Sequence, residues 1–271
     1  MPTSHTSRRG VHWLEHGPGR DAPAVMLIHG LGGDAKFWTT EQTVLGKDYR
    51  VLAVDLRGSG LSRGSANLFS IDQLAGDMAD VLDEAGIASA HVIGFSLGGT
   101  VAQAMAHAFP QRVSKLVLSA TFATVNPQAH LFLVALGALY RRGASPEQMY
   151  ALIVPWLFSL GFLSSAEAEP YLAYVDDPTD HQATEDWLRL LDALLAYDGR
   201  RRLADIRQPT LVIGGDEDRL APLSDAQLLR RGIHGASLEI IPGGHLMNIE
   251  SPAAFTAAIT RFLSLQRACV T

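Results

Sequence analysis

Seven residues limit what this chain can fold into more than anything else in it: Gly94-Phe95-Ser96-Leu97-Gly98-Gly99-Thr100, of the form G-x-S-x-G. Ahead of them His91-Val92-Ile93 is short, apolar and β-branched, the pattern of a buried parallel strand. Behind them Val101 to Phe109 is rich in helix formers and stops at Pro110, where a helix can no longer continue. A serine held on so sharp a corner has small neighbours, Gly94 and Gly98, which let the backbone pack closely and push the hydroxyl into the open. The same corner puts the Leu97 amide at a helix N-terminus, where it can meet negative charge developing on a substrate oxygen. Gly-rich corners also serve plain packing or phosphate binding, so the rest of the chain has to decide.

In order, the chain predicts an edge strand at Val11–Glu15, a turn at Gly17-Pro18-Gly19 and an apolar strand at Ala24–Ile28 that ends in His29-Gly30-Leu31-Gly32-Gly33. A Gly-rich loop after a buried strand is where an α/β sheet builds its site, and the Leu31 amide is the candidate second oxyanion donor. His29 is expected to orient backbone rather than carry protons. A helix through Phe37 and Trp38 to Leu45 leads to a strand at Tyr49–Val54 and then to Asp55-Leu56-Arg57-Gly58-Ser59-Gly60-Leu61-Ser62. An internal Asp55–Arg57 pair shaping that tight Gly turn is the expected role of these two charges. Ile71, Leu74, Ala75, Met78, Val81 and Leu82 recur at helical spacing, with Ser70 as N-cap and Gly86 as stop.

After a further strand at Lys115–Ala120 the alternation breaks. Between about Phe122 and Leu203 the chain reads as helices from Gln128 to Arg142, Pro146 to Leu160, Ser165 to Tyr174 and Thr184 to Tyr197, punctuated by Gly143, Gly161 and Asp177-Pro178. The stretches Leu131–Leu136 and Ile153–Phe158 are apolar on more than one side, as a block that packs on a main domain while lining a cavity would be; a plain buried core explains them equally. The expected organisation is an α/β core at 1–122 and 204–271 with a helical lid at 123–203. Phe132, Trp156 and Phe158 are the candidates to line a substrate pocket, which implies a small-molecule substrate with a substantial apolar part.

The sheet resumes at Pro209–Gly214, followed at once by Gly215-Asp216-Glu217-Asp218. A last strand, Ser237–Ile241, runs into Pro242-Gly243-Gly244-His245, and a helix from about Ala253 to Leu265 closes the chain. Serine, carboxylate and histidine, each just after a strand, lie on one edge of the sheet. A serine hydroxyl is a weak nucleophile at neutral pH; it needs a base within reach, and the base needs a buried carboxylate on its other nitrogen. Such chemistry needs no cofactor and no metal.

Composition removes the other classes. With 271 residues, 47% hydrophobic, 18% charged and a net charge of −6, the chain has no basic stripe for nucleic acid. The single cysteine, Cys269, excludes a disulfide framework and fits a reducing cytoplasm. No apolar run has signal-peptide or membrane-spanning length. The apolar helices leave both monomer and homodimer open.

The chain resembles the α/β-hydrolase superfamily over nearly its whole length. The matching segments are His29–Gly33, Asp55–Ser62, Gly94–Gly99, Gly215–Asp218, and Gly244-His245 with Glu250-Ser251-Pro252. The resemblance implies an α/β-hydrolase fold with an inserted helical lid and a Ser96, Asp218, His245 triad. It selects Asp218 over Asp216 because the family's acid stands three residues after the glycine that ends the strand. In style the chain is similar to 3-oxoadipate enol-lactonases, hydrolases of aromatic meta-cleavage products, haloperoxidase-like proteins and small esterases; Ser59 stands where relatives commonly carry histidine. Cleavage of an ester or lactone is the activity implied. The alternatives are a carbon–carbon hydrolase of a dienoate, with Arg189 as the cation for its carboxylate, and a slow-turnover ligand receptor of the same fold.

Overall fold

The computed structural model describes residues 2–62, 67–175 and 182–265. Asp177-Pro178 and Cys269 lie outside the described residues. One sheet of eight strands runs through the molecule in the order β1-β2-β4-β3-β5-β6-β7-β8. The strands are β1 (Thr3–Thr6), β2 (His12–His16), β3 (Ala24–Ile28), β4 (Arg50–Val54), β5 (Ala90–Phe95), β6 (Val113–Ser119), β7 (Thr210–Gly215) and β8 (Ser237–Ile241). β1 and β2 are antiparallel to their neighbours and all later pairings are parallel. The sheet is thus an α/β-hydrolase sheet, mostly parallel and flanked by helices.

The sheet's two faces carry separate cores. β3 illustrates how: Met26 and Ile28 join one apolar cluster with Leu74, Met78 and Val101, while Val25 and Leu27 join the other with Trp38, Phe255 and Ile259. This follows from period-2 alternation in strands buried on both sides, which then read as unbroken apolar runs. The helices are α1 (Thr39–Leu45), α2 (Ile71–Glu84), α3 (Leu97–Ala108), α4 (Pro127–Arg141), α5 (Pro146–Leu157), α6 (Leu160–Leu163), α7 (Glu169–Leu172), α8 (Thr184–Ala196), α9 (Leu223–Gly232), α10 (Met247–Glu250) and α11 (Pro252–Ser264). Ser70 caps α2 through a reciprocal capping box with Gln73, as its position predicts.

Three expectations need correction. β2 is not the edge strand expected at Val11–Glu15, because β1 pairs outside it; Thr3–Thr6 carries no apolar alternation, and pairing with β2 alone makes it a strand. The helix expected to run to Leu160 ends at Leu157, because Phe158 takes an extended backbone, and Ser159 then caps α6. The stretch Ser165–Tyr174 holds only a short 3-10 turn and α7 rather than one helix.

Helices α4 to α8 all fall between β6 and β7. Their two ends meet: Thr124 and Asp198 form an isolated antiparallel bridge, and the Gly199 amide donates to Ala123 O at 2.8 Å. Above this neck α4 packs on α8, with Gly137 so close to Leu191 that an added Cβ would stand 2.6 Å from its Cδ2. Among the described residues no helix is long and apolar enough to cross a membrane.

One buried charge on the opposite face has a measurable consequence. Glu41 of α1 is 2% exposed, and its Oε1 has no hydrogen-bond partner among the described residues. Burial pushes its pKa up to about 7, from 4.5. The unfolded chain therefore loses this proton at lower pH than the folded one, so stability falls as pH rises from about 4.5 through 7 and stays lower above it. Glu41→Gln is expected to be roughly 3 kcal/mol more stable than the parent at pH 8 and nearly equal to it at pH 4. Urea midpoints of the two proteins at both pH values check this; equal midpoints at pH 8 refute it.

Candidate active site

Ser96 stands between β5 and α3 with φ 51° and ψ −118°, a backbone conformation a residue with a side chain adopts only under constraint. Hydrogen bonds on both sides supply that constraint. The Ser96 amide donates to Ser119 O at 3.0 Å, while its carbonyl accepts from Thr121 Oγ1 at 2.6 Å and the Gly99 amide at 2.9 Å. The glycines are spatial necessities: a Cβ on Gly94 would collide with Gly98 O, and one on Gly98 would collide with Ile28 O and His29 O. The corner so formed exposes little of Ser96, 9% of the residue, and what it exposes opens into a cavity.

The loop after β3 lies against this corner. A Cβ on Gly30 would come within 3.2 Å of Ser96 Cβ, and Leu31 lines the same cavity. Neither the Leu31 nor the Leu97 amide is spent on an acceptor in the described residues. His29 fixes the loop. Its Nδ1 donates to Gly30 O at 2.7 Å and its Nε2 accepts from the Leu56 amide at 3.0 Å, so the ring is neutral and fully used. Burial pulls its pKa down, which agrees. The expectation that His29 orients backbone matches this geometry.

The Asp55–Arg57 pair does not form. Asp55 accepts from His12 Nδ1 at 2.7 Å and from the amides of Ala35 and Leu61, and Arg57 reaches out to Asp77 of α2 at 2.6 Å. Burial raises the pKa of Asp55, but these hydrogen bonds, His12 foremost, outweigh it and hold the carboxyl below its ordinary value. Asp55 still shapes the turn, since a Cβ on Gly60 would strike its carboxylate.

His245 follows β8 and packs on the Phe95 ring with centroids 5.0 Å apart, which brings it to the serine corner. Its Nδ1 bonds Asp218 Oδ2 at 2.9 Å, with both side chains buried. A carboxylate only accepts, so Nδ1 donates to it, which leaves Nε2 as the ring nitrogen free to act on the serine side. The other Asp218 oxygen accepts from the Leu220 and Ala221 amides, each at 2.9 Å, which fixes the carboxylate's orientation. Asp216 serves the loop instead, accepting from the Gly243 amide at 2.8 Å. Ser96 and His245 line the same cavity, with no direct hydrogen bond between their side chains. Among the described residues no cluster of His, Cys, Asp and Glu could hold a metal ion.

The cavity holds about 550 Å³ between the sheet edge and the helical block. Leu133 and Leu136 of α4, Met149, Ile153 and Leu157 of α5 and Trp187 of α8 form much of its apolar wall. Phe132, Trp156 and Phe158 do not line it. Phe132 and Trp156 stand at the edge of the cavity-facing rows of their helices and stack on each other at 4.3 Å. Phe158 is buried against Phe162 and Tyr171 beneath the His245 loop. Arg189 is not on the wall either; it pairs with Asp186 at 2.6 Å. The row 149, 153, 157 was readable from its spacing of four, but the larger rings beside it drew the assignment.

Sheet order, a serine on a strained strand-to-helix corner and an adjacent histidine–carboxylate pair define a hydrolase of the α/β type. The chain belongs to the α/β hydrolase fold family, whose model matches residues 23–252. It is 31% identical to RutD of Azorhizobium caulinodans, named as a candidate carbamate hydrolase, over 97% of this chain and 98% of that one. The enol-lactonase of Burkholderia xenovorans LB400 superposes with a TM-score of 0.88 at 28% identity, covering 97% of this chain and all of its own. A thermophilic esterase from Thermogutta terrifontis shares the fold, with a TM-score of 0.82 at 24% identity over 97% and 98% of the two chains.

Proposed function

We propose that this hydrolase cleaves a neutral carboxylic ester or lactone with a substantial apolar part, through Ser96, His245 and Asp218, and that the block at 123–203 serves as its lid. The observation that carries the reading is the cavity at Ser96 and His245, whose described lining includes no Asp, Glu, Lys or Arg. A site of that size takes a small molecule. A substrate carboxylate would lose its hydration there with no Lys or Arg among the described lining to pair with it, which disfavours a charged dienoate. The carbamates and enol-lactones named for relatives offer a similar carbonyl; the predominantly apolar lining is what favours an ester or lactone carrying a longer apolar group.

In this reading Ser96 Oγ attacks the carbonyl carbon as its proton passes to His245 Nε2. The amides of Leu31 and Leu97 receive the oxyanion. The imidazolium, stabilised by Asp218 at Nδ1, protonates the leaving oxygen; His245 then activates a water that attacks the acyl-enzyme and releases the acid.

Hydrolysis of p-nitrophenyl esters from acetate to decanoate, by the parent and by Ser96→Ala, tests the proposal. Turnover is expected to rise with chain length beyond acetate and to vanish in the variant. Ile153→Trp, which fills the wall, is expected to move the optimum to shorter chains. Absence of Ser96-dependent turnover on every ester would sink the ester reading and leave the receptor alternative, testable by ligand-dependent protection of 123–203.

A further inference from the structure

We infer that Glu250 is a positioning residue for His245 and ties the seating of the helical block to the placement of the general base. The inference rests on His245 acting as the base, as proposed above.

The backbone around His245 is held from two directions. The Gly243 amide donates to Asp216 Oδ1 at 2.8 Å, a bond within the core. The Gly244 amide donates to Glu250 Oε1 at 2.8 Å, and the Leu246 amide donates to Leu157 O, the last residue of α5, at 2.9 Å. Glu250 is also bonded to the block: its Oε1 accepts from the Ser159 amide at 3.0 Å and its Oε2 from Ser159 Oγ at 2.5 Å. One carboxylate oxygen therefore takes an amide from the histidine loop and an amide from the block together. Contact between the two backbones is direct, since a Cβ on Gly244 would stand 2.6 Å from Phe158 C and 2.7 Å from Ser159 N. Two of these three amides thus depend on residues 157–160 being seated, directly or through Glu250. Unseating the block removes the Leu157 acceptor and two of the three hydrogen bonds that fix the Glu250 carboxylate, which frees the loop on one side of the histidine.

The test combines kinetics on the best p-nitrophenyl ester with hydrogen exchange of the segments 157–160 and 243–246, for Glu250→Ala, Glu250→Gln and Ser159→Ala. Glu250→Ala is expected to lose about 10²-fold in kcat with KM within about threefold, the signature of a misplaced group rather than a lost binding contact. Exchange in both segments should rise together while the rest of the sheet keeps its protection. Glu250→Gln is expected to recover most of kcat, because its amide oxygen still accepts from Gly244 and Ser159 and its NH2 can donate to Ser159 Oγ. Should Glu250→Ala not fold, Ser159→Ala carries the test, with a smaller kcat loss and the same paired rise. An alanine variant with parental kcat, or exchange that rises in one segment only or uniformly through the chain, overturns the inference. Ester turnover surviving in Ser96→Ala would instead remove the underlying reading, and the exchange measurements would still decide the coupling.

Discussion

Ser96→Ala is expected to lower kcat on a p-nitrophenyl ester by on the order of 10⁶, and His245→Ala by a similar factor. The two losses should not add. A nucleophile without its base, or a base without its nucleophile, leaves the same residual catalysis from substrate binding and from the amides of Leu31 and Leu97. The double variant is therefore expected to be no slower than either single one. Ser96→Ala is a clean change because alanine keeps a Cβ in the same corner, so the bonds to Ser119 and Thr121 survive and thermal unfolding should stay near the parent's. Kinetics after treatment with a serine-directed phosphonylating reagent, which silences contaminating esterases and finds no hydroxyl at position 96 of the variant, measure the effect. A variant that keeps a tenth of the parental kcat would refute the assignment of the nucleophile.

Asp218→Asn is the second large expectation, a loss on the order of 10⁴ with the fold intact. The reason lies in the two amides of Leu220 and Ala221, which both require an acceptor at the Oδ1 position. An asparagine obeying them must place its carbonyl there and aim its NH2 at His245 Nδ1. That forces the histidine to accept at Nδ1 and carry its proton on Nε2, the tautomer that cannot take a proton from serine. Asp216→Asn should change kcat by less than about threefold, because the hydrogen bond its side chain accepts from the Gly243 amide is served equally by an amide oxygen. Activity lost in Asp216→Asn and kept in Asp218→Asn would move the carboxylate to Asp216. Asp225 adds a pH signature of its own: burial and the nearby Asp218 charge raise its pKa to about 6, against a hydrogen bond from Asn126.

What could be read beforehand follows a physical division. Runs such as Ala24–Ile28 and Thr210–Gly215, buried along their whole length, announce themselves by composition, and the loops after them carry the Leu31 amide and the carboxylates, whereas the histidine follows β8, a strand with only its last residue buried. β1 could not be read, because a polar edge strand owes its conformation to its partner rather than to its own residues. The cavity wall was misassigned for a geometric reason: a shift of one position around α4 and α5 separates residues that face the cavity from those, Phe132 and Trp156, that seal the helix seam. Phe158 was misplaced because the helix ends just before it. Charge partners were hardest. Arg57 stands two residues from Asp55 and pairs with Asp77, and Glu250 reaches Ser159 across 91 residues of chain. No local spacing encodes either bond.

The neck at Thr124 and Asp198 has a consequence for how such a chain can change. Everything between β6 and β7 leaves and re-enters the sheet through one doorway, so the strands need only that doorway, whatever stands beyond it. The entropy of closing a longer or shorter insertion varies slowly with its length, by roughly 0.6 kcal/mol per doubling. The rooms above the doorway can therefore be rebuilt, with new walls and a new volume, while the foundations that hold Ser96 and Asp218 are left untouched, provided the stretch 157–160 that braces the β8 loop is kept. Diversification of what the chain accepts is in this way decoupled from the strained corner, which tolerates almost no revision.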